Sequence, residues 1–82
     1  MGIRHLHFEG RSYISIDEIA ACYQIEVAEI ETWVSENLLE ATREIGGTTA
    51  LPLGCLDRVA ELVRYTRLLG LSTDQILVLL DS

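Results

Sequence analysis

The sequence predicts a mainly α domain, a winged helix-turn-helix of about four helices with a small two-stranded wing. Three observations predict it. Between residues 15 and 39 two short helical patterns follow one another with about three residues between them, the layout of a helix-turn-helix. Gly46-Gly47 then separates two short runs, residues 41–45 and 48–51, that suit the strands of a hairpin. After Pro52 two more helical patterns flank Leu69-Gly70-Leu71-Ser72. The 82 residues are 49% apolar, enough for one domain with a single core and too apolar for disorder.

Residues 3–8, IRHLHF, alternate loosely and predict a short strand leading into the turn-like cluster Glu9-Gly10-Arg11-Ser12. Residues 1–12 are therefore an N-terminal strand or flexible lead, and residues 13–82 the domain proper. His5 and His7 share one face of such a strand. Nothing near them in sequence supplies further ligands, so no metal site is expected. Tyr13-Ile14 lead into the first helix. Ser15 with Glu18 is a capping-box signature, and Ile16, Ile19, Ala20 and Tyr23 recur behind it at helical spacing. Cys22, in the same pattern, reads as a small core residue.

Gln24-Ile25-Glu26 forms the turn. Glycine is usual there for its permitted positive φ, so Gln24 predicts an altered turn or local strain. Ile25 is expected to plug the two helices, and Glu26 stands at the N-cap of the second. Val27, Ile30, Trp33 and Val34 mark that helix, with Trp33 in the core. The wing follows and Pro52 ends it. A longer helix runs from residue 53 or 55 to residue 69 on Leu56, Val59, Ala60, Val63 and Thr66. Outside it stand Asp57, Arg58, Glu61, Arg64 and Arg67, with an Asp57/Glu61 repulsion and a Glu61/Arg64 attraction. Gly70 is the expected C-cap, and Ser72 with Gln75 opens a last helix by a second capping box. Its Ile76, Leu77, Leu79 and Leu80 must pack on the core or on a second copy of the chain.

The chain has 13 acids, six arginines and no lysine, a net charge of −7. Residues 17–44 hold Asp17, Glu18, Glu26, Glu29, Glu31, Glu36, Glu40 and Glu44 against Arg43 alone, whereas the rest of the chain sums to zero. Nucleic-acid affinity rests on cations displacing counterions from phosphates, so a polyanion is repelled there and a basic protein attracted. The plain alternative is a solvated face that keeps a small protein soluble.

No phosphate loop, HExxH, nucleophile elbow or CxxC occurs, so neither an enzyme nor a cofactor is expected. Cys22 and Cys55 lack zinc spacing, and Cys55 beside Gly54 reads as buried. No signal peptide opens the chain and no run reaches membrane-spanning length, which predicts a cytoplasmic location with reduced thiols and no membrane partner.

These residues also carry a resemblance. The order YISIDEIAACYQIEVAEIETWVSENLL, wing, LDRVAELVRYTRLLGLSTDQILVLL resembles the N-terminal domain of MerR-type regulators over residues 13–80. In that family a Gly-Leu-Leu type segment closes the helix-turn-helix, and a Leu-Gly-Phe-Ser type turn leads into an Ile-x-x-Leu-Leu helix. Asn37-Leu38-Leu39, Leu69-Gly70-Leu71-Ser72 and residues 76–80 occupy those places. The family's basic Arg-Tyr-Tyr-Glu-Arg-Lys run falls here on Glu31-Thr32-Trp33-Val34-Ser35-Glu36, and the wing's Arg-x-Tyr on Thr49-Ala50-Leu51. The scaffold is matched and the DNA-reading residues are not.

Within that superfamily the chain is most similar to CbpM-type chaperone modulators, which are short, acidic and MerR-like. Leu39-Glu40-Ala41-Thr42-Arg43-Glu44-Ile45 resembles their Val-Glu-Pro-Arg-Glu-Ile segment, with Thr42 or Ala41 in place of Pro. The resemblance implies an inhibitor that binds the J-domain of a DnaJ-like co-chaperone of the CbpA type and limits its stimulation of DnaK. J-domains work through a basic helix, which an acidic surface would cover. The contact is expected on Glu29, Glu31, Glu36, Glu40 and Glu44. The alternative is a MerR-type DNA-binding transcriptional regulator acting as a homodimer. It needs a basic surface, and the matched region offers only Arg43, Arg58, Arg64 and Arg67, so DNA is disfavoured.

Overall fold

Tyr13 and Ile14 lie in the middle of a sheet rather than ahead of a helix. The computed structural model describes residues 5–81; Ile3 and Arg4, the start of the expected first strand, lie outside them. β1 (His5–Phe8) and β2 (Arg11–Ser15) form an antiparallel hairpin on Glu9-Gly10. β3 (Arg43–Ile45) and β4 (Thr48–Pro52) form a second hairpin on Gly46-Gly47. Both turns have two central residues with positive φ, 51° and 79° in the first and 57° and 80° in the second. Such turns match the twist of the strands they join. β2 then pairs with β4 in the register Tyr13↔Pro52, Ile14↔Leu51, Ser15↔Ala50, giving one sheet in the order β1-β2-β4-β3. α1 (Ile16–Tyr23) and α2 (Val27–Ser35) are inserted between the hairpins. A 3₁₀ turn (Leu53–Cys55), α3 (Leu56–Arg67) and α4 (Thr73–Asp81) follow.

The expected fold is therefore corrected. The chain is not a mainly α winged helix-turn-helix with a two-stranded wing, because four antiparallel strands join in one curled sheet beside four helices. The physical reason is the β2–β4 pairing, a contact between residues far apart in sequence that no local periodicity reports. Arg11 and Ser12, expected in a turn, are the first two residues of β2, and Pro52 ends β4 where its missing N–H is tolerated.

Directly opposed residues of a sheet share a face. One face carries Ile14 and Leu51, which join Ile19, Ile30, Trp33, Val59, Leu62 and Ile76 in the fully buried core under the helices. The other carries Leu6, Phe8, Tyr13, Ala50, Pro52 and Ile45. On that face the Arg43 guanidinium lies 4.9 Å from the ring centre of Phe8, although β3 and β1 are the two outer strands. In a flat sheet these strands would be about 14 Å apart, at nearly 5 Å per strand. The sheet therefore curls and this second face is concave.

Ser15 ends β2 and caps α1, its hydroxyl accepting the Glu18 amide at 3.1 Å, so strand passes into helix without a loop. The ends of α1 and α2 are closed by residues in the left-handed region, whereas α3 is capped by Leu68 in the right-handed region. After α2, Asn37 (φ 63°) lets the Leu38 amide donate to the Trp33 carbonyl at 2.8 Å while its own amide donates to Val34 at 3.1 Å, a Schellman motif. Asn tolerates that conformation. After α1 the same place falls to Gln24 (φ 55°, ψ 49°), with the Ile25 amide donating to Ala20 at 3.0 Å. The strain expected at Gln24 is thus present. The Arg67 guanidinium donates to the Gln24 carbonyl and ties the end of α3 to this turn. The second capping box closes both ways, Gln75 N–H to the Ser72 hydroxyl at 3.3 Å and Ser72 N–H to the Gln75 side chain at 2.8 Å.

Trp33 is fully buried as expected, and its indole N–H has no acceptor among the described residues. Two local expectations fail. Cys22 is exposed rather than in the core, since the buried stripe of α1 runs through Ile16, Ile19 and Ala20. Glu61 pairs with Arg58 at 3.0 Å, not with Arg64.

A left-handed L-residue costs about 1–2 kcal/mol relative to the right-handed region, and glycine escapes most of it at some entropic cost. Gln24→Gly is expected to stabilise the fold by roughly 0.5–1 kcal/mol, because the Arg67 bond is to the backbone and survives. A urea titration followed by the fluorescence of the sole tryptophan, Trp33, reads this as a higher midpoint at constant slope. An unchanged or lower midpoint contradicts the strain.

Candidate functional site

The acids of residues 17–44 remain almost without cationic partners in the fold. Among the described residues they make one ion pair, Glu40 with Arg11 at 3.9 Å, between side chains 62% and 59% exposed. A pair that open to solvent contributes little. Arg43, the segment's own cation, is held over Phe8 on the concave face.

The five expected contact residues do not form one face. Glu29 and Glu36 are seven residues apart at the two ends of α2, so they lie on one stripe two turns apart. Glu29 is half-buried and Glu36 exposed. Glu31 is exposed but falls on the opposite flank, because the buried Ile30 and Trp33 lie between the stripes. Glu40 is exposed in the loop before β3, where it also accepts the Cys55 thiol at 3.6 Å. Glu44 lies on β3, where it accepts the Thr49 hydroxyl, its cross-strand neighbour. Glu29 and Glu36 thus form one pair free of side-chain partners among the described residues, and Glu40 and Glu44 are already engaged within the fold.

The arginines of α3 do not form a free basic face either. Arg58 is paired to Glu61 and Arg67 is bound to the Gln24 carbonyl. His5 and His7 are both exposed, with His7 Nδ1 3.4 Å from the Ser12 hydroxyl. No group of three His, Cys, Asp or Glu side chains suited to a metal comes together among the described residues. No helix among them is long and apolar enough to cross a membrane.

Two cavities were not foreseen. A groove of about 360 Å³ lies between the loop after α2 and the start of α3, lined by Leu38, Glu40, Gly54, Cys55 and Arg58. Burial pushes the Cys55 thiol up from its ordinary range, which the neighbouring Glu40 backbone partly offsets; the Glu40 carboxylate adds to the rise. A thiol so placed is a poor nucleophile. The second cavity, a cleft of about 470 Å³, opens on the concave face between Leu6 of β1, Ile45 of β3 and the start of α1. It exists only because β1 and β3 converge, so no local pattern announces it. Large apolar side chains are also exposed at the end of α3 and on α4, with Leu68 77% and Val78 72% exposed.

Comparison of the chain with protein-family models, with curated proteins and with solved structures gives no match in any of the three.

The two thiols should differ sharply in reactivity. At pH 8 a disulfide reagent is expected to modify Cys22 at once and Cys55 only after denaturant is added, and Cys22→Ser should remove the fast phase. Two fast thiols would contradict the burial of Cys55. The raised thiol also makes the folded state hold its proton longer than the unfolded chain does. Its stabilising contribution is therefore complete below the unfolded thiol's range and lost as pH rises through the folded one. Cys55→Ala is expected to lessen this alkaline loss in urea titrations.

Proposed function

We propose that the chain is a protein-binding modulator that inhibits a DnaJ-like co-chaperone of the CbpA type by covering its J-domain and limiting stimulation of DnaK. The observation that carries this reading is the concentration of negative charge in residues 17–44 with a single weak internal ion pair. Unpaired surface charge of one sign steers and selects a partner of the other sign. The similarity to CbpM-type modulators supplies the identity of that partner, and the basic helix of a J-domain has the required charge.

Within this reading Glu29 and Glu36 are the residues to test. They share a stripe and are free of internal partners, whereas reversing Glu40 would also disturb Arg11 and Cys55. The surface before DNA is the same negative one, and the one cation of the wing is stacked on Phe8. That arrangement favours the protein partner over the nucleic acid.

Isothermal titration with an isolated CbpA-type J-domain at two salt concentrations is the test. Saturable binding is expected, weaker at high salt. Glu29→Lys with Glu36→Lys should cost about 1 kcal/mol per charge, roughly fivefold in Kd each, and flatten the salt dependence. No heat at either salt contradicts the modulator reading, and saturable binding to duplex DNA under the same conditions would replace it with the transcription-factor alternative.

A further inference from the structure

The acids that face a cavity are not those on α2. Asp17 and Glu18 stand at the start of α1 on the rim of the concave cleft, whose walls are Leu6 and Ile45 and whose polar positions include Ser15 and Thr48. No cation is among the lining residues, and neither acid has an ion-pair partner among the described residues. The start of α1 itself carries about half a positive charge from its aligned peptide dipoles. Two carboxylates outweigh it, so the rim at α1 is negative, while Arg43 over Phe8 and Arg11 over Tyr13 sit elsewhere on the same face, outside the lining. The cleft thus combines two apolar walls and an anionic rim.

We infer that this cleft is the anchoring site for a basic protein segment, one that places an apolar side chain between Leu6 and Ile45 and an adjacent Lys or Arg against Asp17 and Glu18. The inference rests on the modulator reading and deepens it, since it moves the anchor from the α2 stripe to the concave face. Glu29 and Glu36 then act at longer range, on the rate of encounter. A bare metal ion does not fit, because it would leave the apolar walls unused. A duplex does not fit, because its phosphates would meet the two carboxylates. A basic segment with apolar neighbours matches walls and rim together. Long cationic side chains suit such a mouth, as their methylene stems cover apolar surface while the charged head stays near water.

The test uses the full chain labelled with ¹⁵N and two probes, an isolated CbpA-type J-domain and a synthetic amphipathic peptide made of leucine and lysine. Amide shifts that saturate at Leu6, Ser15, Glu18, Ile45 and Thr48 with either probe are the expected result. Ile45→Lys, on a strand position that is only half-buried, should weaken that binding at least tenfold while leaving the rest of the spectrum folded. Asp17→Asn with Glu18→Gln should weaken it several-fold without altering the walls. Shifts at the cleft with the peptide but no binding of the J-domain would keep this inference and refute the modulator reading. J-domain binding with shifts confined to α2, or undiminished by Ile45→Lys, would overturn this inference and leave that reading intact. No saturable shift anywhere on the chain with either probe would overturn both.

Discussion

The pairing of β2 with β4 is the constraint on which the rest of the structure depends. Three residue pairs, Tyr13↔Pro52, Ile14↔Leu51 and Ser15↔Ala50, join two local hairpins into one sheet. They bring the starts of α1 and α3 near one another, because Ser15 passes directly into α1 and β4 passes through one 3₁₀ turn into α3. They also separate the apolar residues into two sets. Ile14 and Leu51 complete the core beneath the helices, while Tyr13, Ala50 and Pro52 floor the concave face. Loss of this pairing would expose both sets at once. Full burial of one aliphatic side chain contributes about 1.5–3 kcal/mol, so the few buried residues of β2 and β4 weigh heavily in a domain this small.

Charge is arranged around that frame by sign. Three arginines are engaged by rings or a carbonyl while staying exposed: Arg43 over Phe8, Arg11 at 5.7 Å from the centre of Tyr13, and Arg67 on the Gln24 carbonyl. The acids are left outside, on α1, α2 and the loop before β3. Guanidinium groups suit this use because they stack on aromatic faces and are more weakly hydrated than ammonium groups, and the chain has no lysine.

Much of the helical half was legible in sequence. The cap at Ser15, the turn at residues 24–26, the buried Trp33, the Gly46-Gly47 turn and the Ser72/Gln75 box each rest on a local rule, and each is present; Gly70 has the positive φ of a helix end, but the cap of α3 is Leu68, two residues earlier. Asn37 illustrates why a glycine is not required at a helix end, since its side chain tolerates the left-handed conformation. What was not legible is what depends on distant partners. β2 offers only Tyr13 and Ile14 as strongly apolar residues, and two residues show no period. Its neighbours Arg11 and Ser12 read as turn because their composition is that of a turn. The concave cleft and the Glu40–Cys55 contact both need chain segments that meet only in the fold. Cys22 fell in a helical apolar pattern, yet lies off the buried stripe of Ile16, Ile19 and Ala20.

Amide hydrogen exchange across β2 and β4 tests the central claim most directly. If the sheet is continuous, strand amides in these two central strands, Ile14 and Leu51 among them, should exchange as slowly as the core of α3, with β1 and β3 faster at the edges. Cross-strand contacts between the α-protons of facing β2 and β4 residues should accompany that protection. Exchange of residues 5–15 at the rate of an unstructured chain, with protection confined to the helices and the β3–β4 hairpin, would contradict it. The two-stranded wing would then be restored, and with it the loss of the concave face.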